Sequence, residues 1–131
     1  MQLEVYFEGN KKVYADFNGN TIKTDQPLKG GGEGTAPAPF DLFLASIGTC
    51  AGIYVKGFCD SRGIDASKIR IIQTHDFNPV THLIEKIELK AILPEDFPEK
   101  YKSAIITVMD QCAVKKHLNN PPAISTITNL D

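Results

Sequence analysis

The fold turns on DLFLASIGTCAGIYVKGFC, residues Asp41 to Cys59. Phe43, Ile47, Cys50 and Tyr54 recur at spacings of three and four, and Leu44, Ala51, Val55 and Phe58 widen the stripe, so the stretch reads as an amphipathic helix. Pro39 suits a first helical position and Gly63 a C-terminal stop, which sets the helix from about Pro39 to about Arg62 with Phe40 also on the stripe and Cys50 facing the core. From Leu42 to Val55 there is no charged residue, so the helix needs packing around most of its circumference. One small sheet supplies little of that cover, and a second subunit in a homodimer is the expected source of the rest. Gly48 and Gly52 interrupt the stretch and are placed on one face next to Cys50, each costing a helix interior roughly 1 kcal/mol relative to Ala. Close approach of another backbone, or a small cavity admitting a substrate to a thiol, would offset that cost.

Upstream, Leu3, Val5 and Phe7 alternate with polar neighbours, Gly9-Asn10 breaks the pattern, and Val13, Ala15 and Phe17 resume it as a hairpin. Asn18-Gly19-Asn20 supplies the next turn, and Thr21, Ile22 and Thr24 form a third short strand. Gln26 to Pro39, rich in Gly and Pro, reads as a flexible lead into the helix; it lacks the Lys-Ser/Thr ending of a nucleotide-binding P-loop. Downstream, Ile69 to Phe77 and Leu83 to Leu93 read as strands around an Asn78-Pro79 turn, with His75 and His82 as exposed loop ends. Pro94 to Pro98 opens a second helix with the stripe Tyr101, Ile105, Val108 and Cys112; Lys115 to His117 suit the end of a further turn, His117 favouring the helix dipole there, and Ala123 to Thr128 form a last strand. The order βββ, α, ββ, α, β predicts a single α+β domain over residues 1–131, with antiparallel pairing at both ends of the chain.

The 14 basic and 16 acidic residues are spread along the chain without a basic block, which disfavours nucleic acid as a partner. MQLEVYFEGN lacks the order of a signal peptide, and the uncharged run from Leu42 to Val55 is shorter than the roughly 20 apolar residues of a bilayer span. A cytoplasmic protein with no membrane partner is expected. Three cysteines, Cys50, Cys59 and Cys112, match neither a disulfide scaffold nor a paired zinc-ligand spacing, so no metal is expected. Cys59 lies about 180° round the helix from Cys50 and reads as a small apolar filler; Cys50 and Cys112 both fall on inward stripes, as buried filler or as paired reactive thiols.

PFDLFLASIGTCAGIYVKGFCDSRGI, Pro39 to Ile64, together with MDQCAVKKHL, Met109 to Leu118, resembles the OsmC/Ohr family, the osmotically inducible and organic-hydroperoxide-resistance proteins. The resemblance covers nearly the whole chain. It implies an intertwined homodimer of α+β subunits with active sites at the subunit interface. It also implies a thiol peroxidase without a bound cofactor: Cys50 is the peroxidatic residue, and Cys112 resolves its sulfenic acid as a disulfide that an external dithiol reduces. Phe40, Asp41, Phe43 and Tyr54 are the candidate pocket residues, and the apolar character of Phe40, Phe43 and Tyr54 favours an organic hydroperoxide or another small apolar ligand.

A thiolate among apolar side chains needs a nearby cation. The resemblance implies an Arg from the N-terminal strands, held by a Glu about ten residues before the first Cys. Here Phe40 stands at that position with Asp41 beside it, and the only arginines, Arg62 and Arg70, follow Cys50. Lys11 or Lys12 is the substitute in view, without the planar fork of a guanidinium, and Ala113 stands where the family often has Pro. Weaker or altered peroxide reduction is expected, the alternative being a non-catalytic small-ligand-binding or redox-sensing dimer of the same fold.

Overall fold

The computed structural model describes residues 1–130. The chain divides into two compact units, Met1–Ala45 and the residues from Ser46 onward, with the boundary inside the first helix.

The first unit is a three-stranded antiparallel meander, β1 (Glu4–Phe7), β2 (Val13–Phe17) and β3 (Asn20–Thr24), in the order β1-β2-β3. Its register pairs Tyr6 with Tyr14 and Ala15 with Ile22. Asn18 (φ 51°) and Gly19 (φ 79°) are both left-handed, the conformation that lets a two-residue loop follow the twist of its strands.

After β3 the sequence predicts a flexible lead, and the structure instead winds residues 26–38 around the buried carboxylate of Asp25. Asp25 Oδ1 accepts the Gln26 N–H at 2.7 Å, while Oδ2 accepts the Thr35 N–H at 3.1 Å and the Thr35 hydroxyl at 2.6 Å. The Asp25 N–H donates to the Pro37 carbonyl at 3.2 Å, closing the loop at its base. Glycine is required at position 32 by close approach: a Cβ there would lie 2.0 Å from the Gln26 carbonyl oxygen.

The second unit packs α1 (Pro39–Asp60, its last four turns), α2 (Lys102–Asp110) and α3 (Ala113–Asn119) with the hairpin β4 (Arg70–Asn78) and β5 (Leu83–Ile92). Its core joins Ala51, Val55, Phe58 and Cys59 of α1 to Ile69, Phe97, Ile105 and Met109. Full burial of side chains such as Val, Ile and Met stabilises by roughly 1.5–3 kcal/mol each. Helix α1 stops where Gly63 (φ 65°) turns the chain and the Ile64 N–H reaches back to the Cys59 carbonyl at 2.9 Å. At 22 residues, charged only at Asp41, Lys56 and Asp60, α1 has the length and apolarity of a membrane-crossing helix; here its Ile47, Ala51, Val55 and Phe58 stripe is buried.

Several expectations are corrected. His75 lies within β4, opposite Ile87, and only His82 belongs to the turn, at φ 60°. The turn itself is set by Asn78, whose Oδ1 accepts the Val80 and Thr81 N–H groups. The second helix ends at Asp110, so Cys112 lies beyond it as the residue that starts α3. Residues 121–130 form no strand; Pro121 and Pro122 stop α3, and the chain continues without a pairing partner among the described residues.

Candidate functional site

Helix α1 sorts its two cysteines by angle. Ile47, Ala51, Val55, Phe58 and Cys59 form the buried stripe, while Cys50, about 100° round from Ala51, sits half-buried at its edge rather than facing the core. Cys59 is completely buried; burial first, and then the Asp60 carboxylate, push its thiol pKa up. It stays protonated and inert, the filler that its position predicts.

The glycines do not adjoin Cys50. At 100° per residue Gly48 and Gly52 each lie about 200° from it, and both face β4. A Cβ on Gly48 would meet Gln73 Oε1 at 2.6 Å, and one on Gly52 would meet Ile71 Cδ1 at 3.8 Å. Ile71 and Gln73 are alternate residues on one face of the strand, so the small residues let this face approach the helix. The close approach is thus to β4 side chains, not to the other backbone that the sequence reading allows for. Gln73 also lies 2.8 Å from His75, nitrogen to nitrogen between Nε2 atoms.

Cys112 is completely buried, and its Sγ accepts the Lys115 N–H at 3.3 Å, satisfying one of the open donors of α3. Its backbone is extended (φ −62°, ψ 148°), which explains why the helical stripe ending in Met109 does not carry on through it. All three cysteines are free thiols, and Cys50 is the only one with surface to offer a reagent. No group of His, Cys, Asp and Glu among the described residues could hold a metal ion.

Neither arginine is uncommitted. Arg62 lays its guanidinium 3.7 Å from the Phe58 ring centroid and donates to the Phe58 carbonyl at 3.3 Å, and Arg70 donates to the Ser67 and Ile69 carbonyls. In the first unit Lys12 pairs with Glu33 at 3.3 Å, and the Lys11 stem passes over Gly31. A lysine of the β1–β2 connection is thus held by a glutamate of the glycine-rich loop. The Asp25 cradle and this ion pair escaped sequence reasoning, although an acidic residue closing a strand ahead of a Gly-rich loop and a Thr is the available signal.

Of the candidate pocket residues, Phe40 and Phe43 stack at 5.6 Å between centroids and are exposed, as is Tyr54; Asp41 occupies the first turn of α1. Ile53, at 63% exposure, adds to this uncovered apolar surface on the helix. None of the four candidates lines the groove of about 730 Å3 in the second unit, which is formed by β5, α2, α3 and Ile47.

The family model described as OsmC-like protein matches residues 31–127. The chain belongs to the OsmC-like family. Among solved structures, the OsmC-like chain is similar to a protein from Psychrobacter arcticus named for an osmotic stress and detoxification response: 19% identity, TM-score 0.72, covering 88% of this chain and 86% of that one. An OsmC-like protein from Mycoplasma pneumoniae gives 15%, 0.66, 92% and 87%. The organic hydroperoxide resistance protein OhrB of Bacillus subtilis gives 16%, 0.53, 92% and 93%. At these identities the likeness speaks for the fold. No curated protein matches the chain.

Proposed function

We propose that this OsmC-like chain is a thiol-dependent peroxidase, acting in a reducing cytoplasm on organic hydroperoxides, with Cys50 as the attacking residue. The observation that carries this reading is the contrast in burial: Cys50 is half-buried while Cys59 and Cys112 are closed off. The Cys50 thiolate attacks one peroxide oxygen, the O–O bond breaks, and the alkoxide leaves as an alcohol after taking a proton, so the sulfur is oxidised to a sulfenic acid. The Cys112 thiol then attacks that sulfur, water leaves, and the disulfide is reduced by an external dithiol. Lys12, restrained by Glu33, is the proposed source of positive charge for the thiolate, and as a point charge it supports slower turnover than a guanidinium. The exposed Phe40, Phe43 and Tyr54 favour an organic over an inorganic peroxide, and their exposure supports a homodimer as the working state.

The test is turnover of cumene hydroperoxide with a dithiol reductant. Wild-type protein turns over, Cys50→Ser does not, and Cys112→Ser stops after one equivalent of peroxide. Equal turnover by Cys50→Ser defeats the reading. A redox-sensing role is favoured instead by the Cys112 sulfur capping α3, which ties its oxidation state to a helix end. Slow oxidation without recycling is its signature.

A further inference from the structure

Helix α3 is seven residues long, well below the roughly 12–15 residues at which an isolated helix begins to hold itself in water. Its own side chains supply little anchorage. None is fully buried: Val114 and Lys115 are half-buried, and the rest are exposed. Among residues 110–130, Cys112 is the only one sealed from solvent. The helix is therefore pinned at one point, just ahead of its first turn.

Cys112 holds α3 in two ways. Its carbonyl accepts the Lys116 N–H at 3.0 Å, and its sulfur accepts the Lys115 N–H at 3.3 Å. The second bond depends on where the side chain points, because a capping acceptor must lie over the open N–H groups of the first turn. A further tie, the Lys115 ammonium with the Asp110 carboxylate, joins α3 to the end of α2, but both groups face solvent and such a pair contributes little alone. The helix is also a wall: Lys115, Leu118 and Asn119 line the groove of about 730 Å3 that β5, α2 and Ile47 complete.

We infer that α3 is a redox-gated wall: bonding of the Cys112 sulfur to Cys50 draws it from its cap position, releases α3 and opens that side of the groove. The inference rests on the reading of Cys50 and Cys112 as a redox pair. In the resolving step the Cys112 sulfur bonds to the Cys50 sulfur, the S–O bond of the sulfenic acid breaks, and hydroxide leaves as water with the Cys112 proton. Both sulfurs are free thiols here, so one of them must move for that bond to form. Cys50 stands on a 22-residue helix fixed by Ala51, Val55, Phe58 and Cys59 in the core, whereas Cys112 lies in the short link between α2 and α3. The movement therefore falls on Cys112, and the cap goes with it. Oxidation then uncovers apolar surface at Ile105 and Met109, both buried in the reduced chain, and reduction covers it again.

The experiment uses the full chain and compares amide exchange at Lys115, Lys116 and His117 of α3 with exchange from Ile105 to Met109 of α2. The Cys50–Cys112 bond is formed with diamide, which takes two electrons and two protons from the thiols and becomes a hydrazine, so the outcome does not depend on peroxide turnover. Peptide mapping identifies the bond. Exchange in α3 should rise at least about tenfold on oxidation and return with a dithiol, while α2 stays within about twofold. Under reducing conditions Cys112→Ala, which removes the cap without a disulfide, should show the same rise, and Cys112→Ser, whose hydroxyl caps in its place, should keep α3 slow. The inference is overturned if diamide forms no Cys50–Cys112 bond, if α3 exchanges equally in the reduced and oxidised chains, or if the rise spreads equally to α2. Exchange of α3 in Cys112→Ala as slow as in wild type overturns it as well. A chain that meets these expectations but fails to turn over cumene hydroperoxide refutes the peroxidase and leaves the gate standing.

Discussion

Replacing Gly52 by Ala tests whether the helix glycines serve packing or the thiol. The gain is the helix propensity of Ala over an interior Gly, about 1 kcal/mol. The added Cβ meets Ile71 Cδ1 at 3.8 Å, an ordinary contact, so almost nothing is subtracted. At position 48 the same Cβ lies 2.6 Å from Gln73 Oε1, and the amide must retreat by about 0.8 Å to reach 3.4 Å. A terminal amide can swing away, but it gives up its 2.8 Å approach to His75, worth about 0.5–1.5 kcal/mol. Gly52→Ala should therefore stabilise by about 1 kcal/mol and Gly48→Ala by about zero. In urea the first moves the midpoint up by about 0.5 M at constant slope, the second hardly at all. Both variants should leave the rate of Cys50 alkylation within about twofold of wild type, because the new methyls stand about 200° away. Destabilisation by Gly52→Ala, or alkylation of Cys50 slowed tenfold in either variant, refutes the placement.

Other expectations follow from the same packing and hydrogen bonding. Asp25 has its pKa lowered from the ordinary carboxylate value of 3.8 to about 2, first by the Thr35 hydroxyl and then by the Thr35 N–H. Its stabilising contribution is therefore present above about pH 4 and lost as pH falls toward 2; amide exchange of Thr35 should accelerate across that window, and Asp25→Asn should abolish the pH dependence. Gly32→Ala, which drives a methyl into the Gln26 carbonyl, should destabilise the first unit by about 1–3 kcal/mol or more, read by exchange in residues 25–35. Ala113 is the first residue of α3 and follows an extended Cys112, so Ala113→Pro should stabilise by about 0.4–1 kcal/mol in thermal melts. Cys59→Ser places a hydroxyl in the fully buried core and should cost about 1–3 kcal/mol by urea unfolding.

Regular periodicity carried most of the fold. The alternation Ile87, Leu89, Ala91 and the stripe through Ile47, Ala51 and Val55 report which face meets a core, and strands and helices form there. What escaped was set by groups distant in sequence. The Asp25 cradle depends on Thr35 ten residues on, and no local pattern says that a carboxylate will be buried. The glycines of α1 were visible as a cost, but only Ile71 and Gln73 show what that cost permits. Cys112 kept helical spacing after Ile105 and Val108, yet its sulfur took over an open N–H at the start of α3, a local competition between side chain and backbone. Strand propensity at Ile124 and Ile127 was legible, but a strand needs an edge to pair with, and that edge is not specified by the residues that would occupy it.

The three thiols stand at graded depth in the second unit: Cys50 half open, Cys59 sealed in its core and Cys112 equally buried. The chain thereby carries its own clock for conformational opening. An alkylating reagent in excess should consume one thiol promptly and the other two only as fast as the structure breathes. The lag between the first and the later adducts, counted by intact mass, then gives the free energy of each opening without a dye or a denaturant. A ligand, reductant or second copy that steadies this core would announce itself as a longer lag, even if it never touches a cysteine.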